Sequence, residues 1–263
     1  METKEDRISD LPGRVMDQIL SFVPIKDAVK TSVLSTKWRY KWETVPSLVF
    51  NKMSFPISVG RNRNAMVDNL IRDIDRVLIL RSGPIHKFGL SYAQSLPRCE
   101  IDKWIRHVSK HSLQDFSLEK WNSEAYQMPS AMFSCQNLTR LVLNNCCLPR
   151  PPSTFKGFKH LKTLDLRDVS VAQDVLECLI SGSDVLSRLT LRGLFMDQLN
   201  INAPNLHFFH LVGRLYDINL QCSNLSILFI SVYNIHERSN LEKLMAEIPN
   251  IRRLTIQGAT IEV

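Results

Sequence analysis

Only nine glycines occur in the 263 residues, and none of them builds a Gly-rich phosphate loop, which argues against a nucleotide-cradling turn. G-x-S-x-G and H-E-x-x-H are both missing, which removes the nucleophile elbow and the paired-histidine zinc site. The seven histidines are dispersed. His107 and His111 share an i,i+4 spacing, but no further ligands stand at metal-site spacing, and a plain surface helix is the simpler reading. The six cysteines (Cys99, Cys135, Cys146, Cys147, Cys178 and Cys222) form no C-x-x-C pair and read as free thiols in a reducing compartment. No apolar run reaches the roughly 18 residues of a membrane span. The opening METKEDRISD is charged and lacks the apolar stretch of a secretory signal. The expectation is a cytoplasmic and/or nuclear protein with no membrane contact, no cofactor, no metal and no catalytic residues. Net charge is +7, but the basic residues are scattered beyond Lys37-Trp38-Arg39-Tyr40-Lys41, which favours a solvated basic surface over nucleic-acid binding.

What is present begins with ISDLPGRVMDQILSFVPIKDAVKTSVLSTKWRYKW. Ser9 or Asp10 is placed to cap a helix with Pro12 in its first turn, where a missing N–H costs nothing. Val15, Met16, Ile19, Leu20 and Val23 recur at three- and four-residue steps, and Pro24 stops that helix. A second short pattern from Asp27 sets Ala28, Val29, Ser32 and Val33 on one face. A third, capped by Ser35 or Thr36, carries Trp38 and Trp42 at i and i+4. Helices this short are marginal in water, so they must pack on each other and on a partner. Val15, Val29 and Leu34 are expected inside the module.

This segment resembles an F-box. The likeness rests on Leu11-Pro12, Val15, Ile19-Leu20, Val23-Pro24, Thr31-Ser32-Val33-Leu34-Ser35 and Trp38-Arg39, over roughly residues 7–48. It implies docking to the Skp-type adaptor of a cullin-based ubiquitin ligase. Leu11, Pro12, Ile19, Leu20 and Val33 would contact the adaptor, and Trp38 would wedge near that interface while supporting the module's core.

Behind it lies a repeat. The pattern L-x-x-L-x-L, with other apolar residues allowed, starts at Ile85, Leu113, Leu138, Leu161, Leu186, Leu206, Leu225 and Ile251, at separations of 28, 25, 23, 25, 20, 19 and 26 residues. These lie within or near the roughly 20–29 residues of a leucine-rich repeat. Positions four and six alternate inward on a strand, and stacked strands share one core. Helical patterns link some strands (Ile101, Trp104, Ile105, Val108; Val175, Leu176, Leu179, Ile180). The two shortest repeats leave room only for turns or a brief tight helix. Asn64–Leu80 reads as a helix with Val67, Leu70, Ile71, Ile74 and Val77 on one face, ended by Ser82-Gly83-Pro84. With the strand-like Leu48-Val49-Phe50 it is expected to cover the N-terminal end of the array.

The expected fold is α+β to α/β: a three-helix F-box (1–50), a connecting strand and helix (51–84), about eight leucine-rich repeats with a curved parallel sheet (85–258) and a short tail (259–263). The whole resembles plant F-box/FBD/LRR proteins, with Leu48-Val49-Phe50 and Ala203-Pro204-Asn205-Leu206 adding to the likeness, and without an FBD-like C-terminal domain. Positions three, five and seven of each strand point onto the concave face. There Arg140, Arg167, Arg188 and Arg192 form a basic patch beside an apolar one of Phe208, His210, Ile227 and Phe229. Arginine and aromatics are enriched at binding hot spots, so this junction is the expected site for an acidic and apolar segment of a protein target. The resemblance implies a non-catalytic substrate-recognition subunit of a Skp–cullin–F-box ligase. Two alternatives remain open: a receptor holding a small anionic ligand on the arginines, and a nucleic-acid-binding or ligase-independent interaction protein.

Overall fold

The computed structural model describes residues 8, 10–51, 63–92, 96–121, 124–233 and 250–257. Helix α1 (Gly13–Phe22) starts two or three residues later than a Ser9 or Asp10 cap would place it. Pro12 is its N-cap, without a side-chain cap hydrogen bond. Ser9 and the 259–263 tail lie outside the described residues. Pro24 both follows α1 and caps α2 (Ile25–Lys30), because its fixed φ suits a helix entry. The expected third α-helix is absent: 3₁₀ turns at Thr31–Val33 and Lys41–Thr44 replace it. Residues 31–36 are mostly Ser, Thr and Val, which lose most in an α-helix, and the two turns still bring Trp38 and Trp42 inward.

Strand β1 (Ser47–Phe50) is the first of a nine-stranded, all-parallel sheet. The chain continues through α3 (Arg63–Leu80), β2 (Lys87–Tyr92), α4 (Arg98–Val108), β3 (Asp115–Lys120), β4 (Tyr126–Gln127), β5 (Arg140–Asn144), β6 (Cys146–Cys147) and β7 (Thr163–Arg167). It ends with α5 (Gln173–Ser181), β8 (Arg188–Asn202), β9 (Phe208–Gln221), β10 (Ile227–Tyr233) and β11 (Arg253–Gln257). The sheet order is β1-β2-β3-β5-β7-β8-β9-β10-β11; β4 and β6 pair separately. All eight repeat motifs supply a strand that begins at position three. The register runs Ser47, Lys87, Asp115, Arg140, Thr163, Arg188, Phe208, Ile227, Arg253 across the sheet.

The strand and helix expected ahead of the repeats both form: β1 is the edge strand beside β2, and α3 is the crossover from β1 to β2, packed beside α4. α2 packs on β1, so the N-terminal module itself covers that edge. The 19- and 20-residue repeats contain neither turns alone nor a tight helix. Instead β8 and β9 run on as strands around a bulge between Arg192 and Leu194 and pair as far as Asn202 with Gln221. The two linking helices form as the periodicity predicts, and their eight apolar residues are buried. Positions four and six feed one core from Phe88 and Leu90 to Leu228 and Ile230, continuous with Met16, Leu20 and Trp42 of the module.

Candidate docking surfaces

α1 is apolar on two sides. Met16 and Leu20 turn into the core, while Val15, Ile19 and Phe22, at i, i+4 and i+7, stay exposed. Phe22 is 82% exposed, and Val33, on the first 3₁₀ turn, is 87% exposed with Leu34 beside it in sequence. Pro12 is exposed and Leu11 is half-buried against the core. Leu20 and Trp38 do not belong to a contact face. Leu20 is 0% exposed, and Trp38 is buried with its indole N–H donating to the Ile8 carbonyl at 3.3 Å. Conversely Val15 and Leu34, expected inside, are outside: the helix is too short to bury both of its apolar stripes, and the chain leaves α2 before Val33 and Leu34 can turn in. Val29 does pack on the core. Phe22 is the residue sequence reading missed, although its i+3 step from Ile19 was visible. Lys41–Asp17 (3.0 Å) and Lys37–Asp10 (3.5 Å) tie the second half of the module to α1 and its approach.

On the open face of the sheet, register decides which side chains meet. Arg140 pairs with Asp115 at 3.0 Å, and Lys87 reaches the same carboxylate at 3.2 Å. Arg167 grips Asp165 with two hydrogen bonds, at 3.0 and 2.6 Å. The expected patch of four arginines is therefore half neutralised, because acidic residues stand one strand or two residues away. Arg188 and Arg192 have no carboxylate partner among the described residues. Arg188 lies 4.3 Å over the Phe208 ring, a cation–π contact that parallel register enforces. Phe208 and Phe229 sit 5.9 Å apart, His210 is 5.7 Å from Phe229, and Arg253 covers the far side of Phe229 at 5.5 Å. Ile227 stands between Phe208 and Arg253 in the register. Arg192 donates to His210 Nδ1 at 3.3 Å, so that nitrogen must be unprotonated. Burial, then the Arg192 charge, lowers the His210 pKa from its ordinary value. The result is a row of half-buried aromatics flanked by cations.

Burial pushes the Cys135 and Cys146 thiols up to about 12, far from a nucleophilic thiolate. Among the described residues no group of three or more His, Cys, Asp or Glu is placed to hold a metal, and no helix is long and apolar enough to cross a membrane.

Comparison with known proteins matches this division. Residues 8–50 match the F-box domain, and residues 101–219 match the family described as FBD-associated F-box protein At5g56370, LRR repeats. The chain is 38% identical over 264 residues to the F-box/FBD/LRR-repeat protein At1g13570 of Arabidopsis thaliana, covering 97% of this chain and 62% of that protein. It is 34% identical over 167 residues to the Arabidopsis FBD-associated F-box protein At5g56370 (62% and 38% covered). With the Arabidopsis F-box/LRR-repeat protein At3g59210 it shares 31% identity over 210 residues (75% and 41% covered). The chain thus spans under two thirds of the length of these relatives. An F-box match, a leucine-rich-repeat match and a nine-stranded parallel sheet that joins them place the chain in the plant F-box/leucine-rich-repeat family.

Proposed function

We propose that the chain is a non-catalytic substrate-recognition subunit of a Skp–cullin–F-box ubiquitin ligase, acting in the cytoplasm and/or nucleus. The F-box docks the Skp-type adaptor and, through it, the cullin; the open face of the repeats holds a protein target; ubiquitin transfer belongs to the other subunits. The observation that carries this is the outward apolar stripe of α1 with Val33 and Leu34, left exposed although a large core lies next to it. Burying each such side chain in a partner stabilises by roughly 1.5–3 kcal/mol. The reading in which a small anion sits on all four arginines loses support, because Arg140 and Arg167 already hold carboxylates.

The test is capture by a purified Skp-type adaptor. Wild type is expected to bind, and Ile19→Asp with Val33→Asp to lose at least tenfold in affinity while keeping its melting temperature, since both sites are exposed. Pro12→Ala should weaken capture less. Leu20→Ala is expected to act through stability, with melting and capture falling together. Equal capture by wild type and the double aspartate variant overturns the ligase reading and leaves an interaction protein working outside a ligase.

A further inference from the structure

A cleft of about 490 Å³ opens at the C-terminal ends of β3, β5 and β7 and the bulge of β8, beside the aromatic row and sharing Arg192 with it. Its lining includes Lys120, Trp121, Asn144, Arg167, Asp168 and Arg192. Asn144 is only 5% exposed, and it stands in the wall of the cleft. Trp121 is 54% exposed, and its indole N–H donates to Ser91 Oγ at 3.1 Å, which fixes one wall as a flat apolar surface. The Lys120 ammonium is largely buried and held by the Glu124 carbonyl. Arg167 is held by Asp165 through two hydrogen bonds and brings no free charge. Arg192 does bring one, and Asp168 contributes one carboxylate.

That donor set suits a single negative charge. A phosphate dianion would want several unpaired arginines and would meet Asp168; one carboxylate needs only Arg192 and Lys120. Asn144 offers both a donor and an acceptor, the complement of a peptide main-chain amide. We propose that this cleft is the specificity pocket of the repeats and takes an Asp or Glu side chain of an extended target segment, whose neighbouring apolar side chain lies on Phe208 and Phe229. This rests on the reading of the repeat face as the target surface.

The experiment uses the 263-residue chain purified with a Skp-type adaptor and an array of capped octapeptides in which each position is varied, phosphoserine included. Wild type is expected to select Asp or Glu at one position next to an aliphatic or aromatic residue. Arg192→Gln should lower affinity for the selected peptide at least tenfold and abolish the preference for Glu over Gln. Asn144→Leu should weaken the same peptide, and Arg150→Gln, in the connection from β6 to β7, should change nothing. Preference for phosphoserine over Glu, an acidic preference that survives both Arg192→Gln and Asn144→Leu, or saturable binding of free glutarate at micromolar concentration without peptide each overturns the proposal. Selection of peptides without any acidic position overturns the pocket but keeps the target face. Selection of no peptide overturns both, while adaptor capture, measured separately, still decides the ligase reading.

Discussion

Asn145, Asp168 and Gly193 occupy position eight of three successive repeats, and all three have left-handed φ, at 55°, 49° and 67°. Asn, Asp and Gly are the residues that tolerate this region, so three different residues meet one backbone demand: a sharp corner at position eight, just past the ends of β5 and β7 and in the bulge of β8. A Cβ on Gly193 would also stand 2.0 Å from Asp168 Oδ1. Gly193→Ala is therefore expected to cost about 1–2 kcal/mol through the backbone alone, with more from the contact. Adding Asp168→Gly, which keeps the left-handed φ and removes the carboxylate, should return only the contact part. Urea melts of the two variants check this, and an unchanged midpoint for Gly193→Ala would refute it. His210 gives a second residue-level expectation. Its folded pKa lies below its unfolded value, because burial and the Arg192 charge oppose protonation. As pH falls below about 6.5 the unfolded chain takes up this proton first, so the contribution to stability is whole above that value and declines on acidification until the folded pKa is passed. His107 and His111, lowered chiefly by burial, add in the same direction. An NMR titration should place the His210 midpoint below the ordinary value, and Arg192→Gln should raise it; no movement in that variant would remove Arg192 as a cause.

Elements were legible in proportion to how strictly their spacing constrained them. All eight repeat strands could be read in sequence because positions one, four and six must be apolar for neighbours to share a core, and the register that set Arg188 against Phe208 followed from counting. The pairing of Arg140 with Asp115 followed from the same count, but a list of outward positions does not say which charges cancel. The third module helix was misread because Trp38 and Trp42 at i,i+4 come inward without one: Trp38 lies in the turns between the two 3₁₀ segments and only Trp42 lies within one. The cleft was invisible, since Asn144 and Trp121 carry no motif and only left-handed corners bring them together. The long β8 and β9 were misread because short linkers imply only that a long helix will not fit. Leu199, Ile201 and Ala203 do alternate inward, which was the missed signal. Gly213 holds that extension: a Cβ there would lie 2.3 Å from the Leu194 carbonyl oxygen. Gly213→Ala is expected to cost about 1–3 kcal/mol by overpacking a backbone contact. Hydrogen exchange should quicken at 194–202 and 213–221 while 188–192 and 208–212 keep their protection. Uniform protection across both strands would show that the corner does not hold the outer pairing.

At the scale of the molecule, the proposed adaptor and target surfaces are useful together only if their relative position is fixed. Repeat arrays contact neighbour to neighbour, and a module hung on a flexible tether would be free to open alone. Here the join is continuous. The Pro46 carbonyl accepts from His86 and Lys87 at the start of β2, and the Glu43 carbonyl accepts from Ser82 and Gly83 after α3. The Arg81 guanidinium closes the joint, donating to the carbonyls of Val45 (3.2 Å), Gly83 (3.2 and 3.0 Å) and Pro84 (2.6 Å). Burial lowers its pKa from the usual arginine value. Hydrogen bonds to a charged group contribute roughly 1.5–3 kcal/mol each in favourable settings, and the carbonyls left behind would be unpaired. The F-box and the first repeats should therefore unfold in one transition, with amides of α1 and β5 losing protection at the same urea concentration. Arg81→Met keeps the aliphatic stem and removes all four hydrogen bonds. It is expected to cost about 2–3 kcal/mol and to split the transition, α1 exchanging before β5. Coincident loss of protection in Arg81→Met at the wild-type midpoint would mean that packing of α2 on β1 alone sets the angle between the two surfaces.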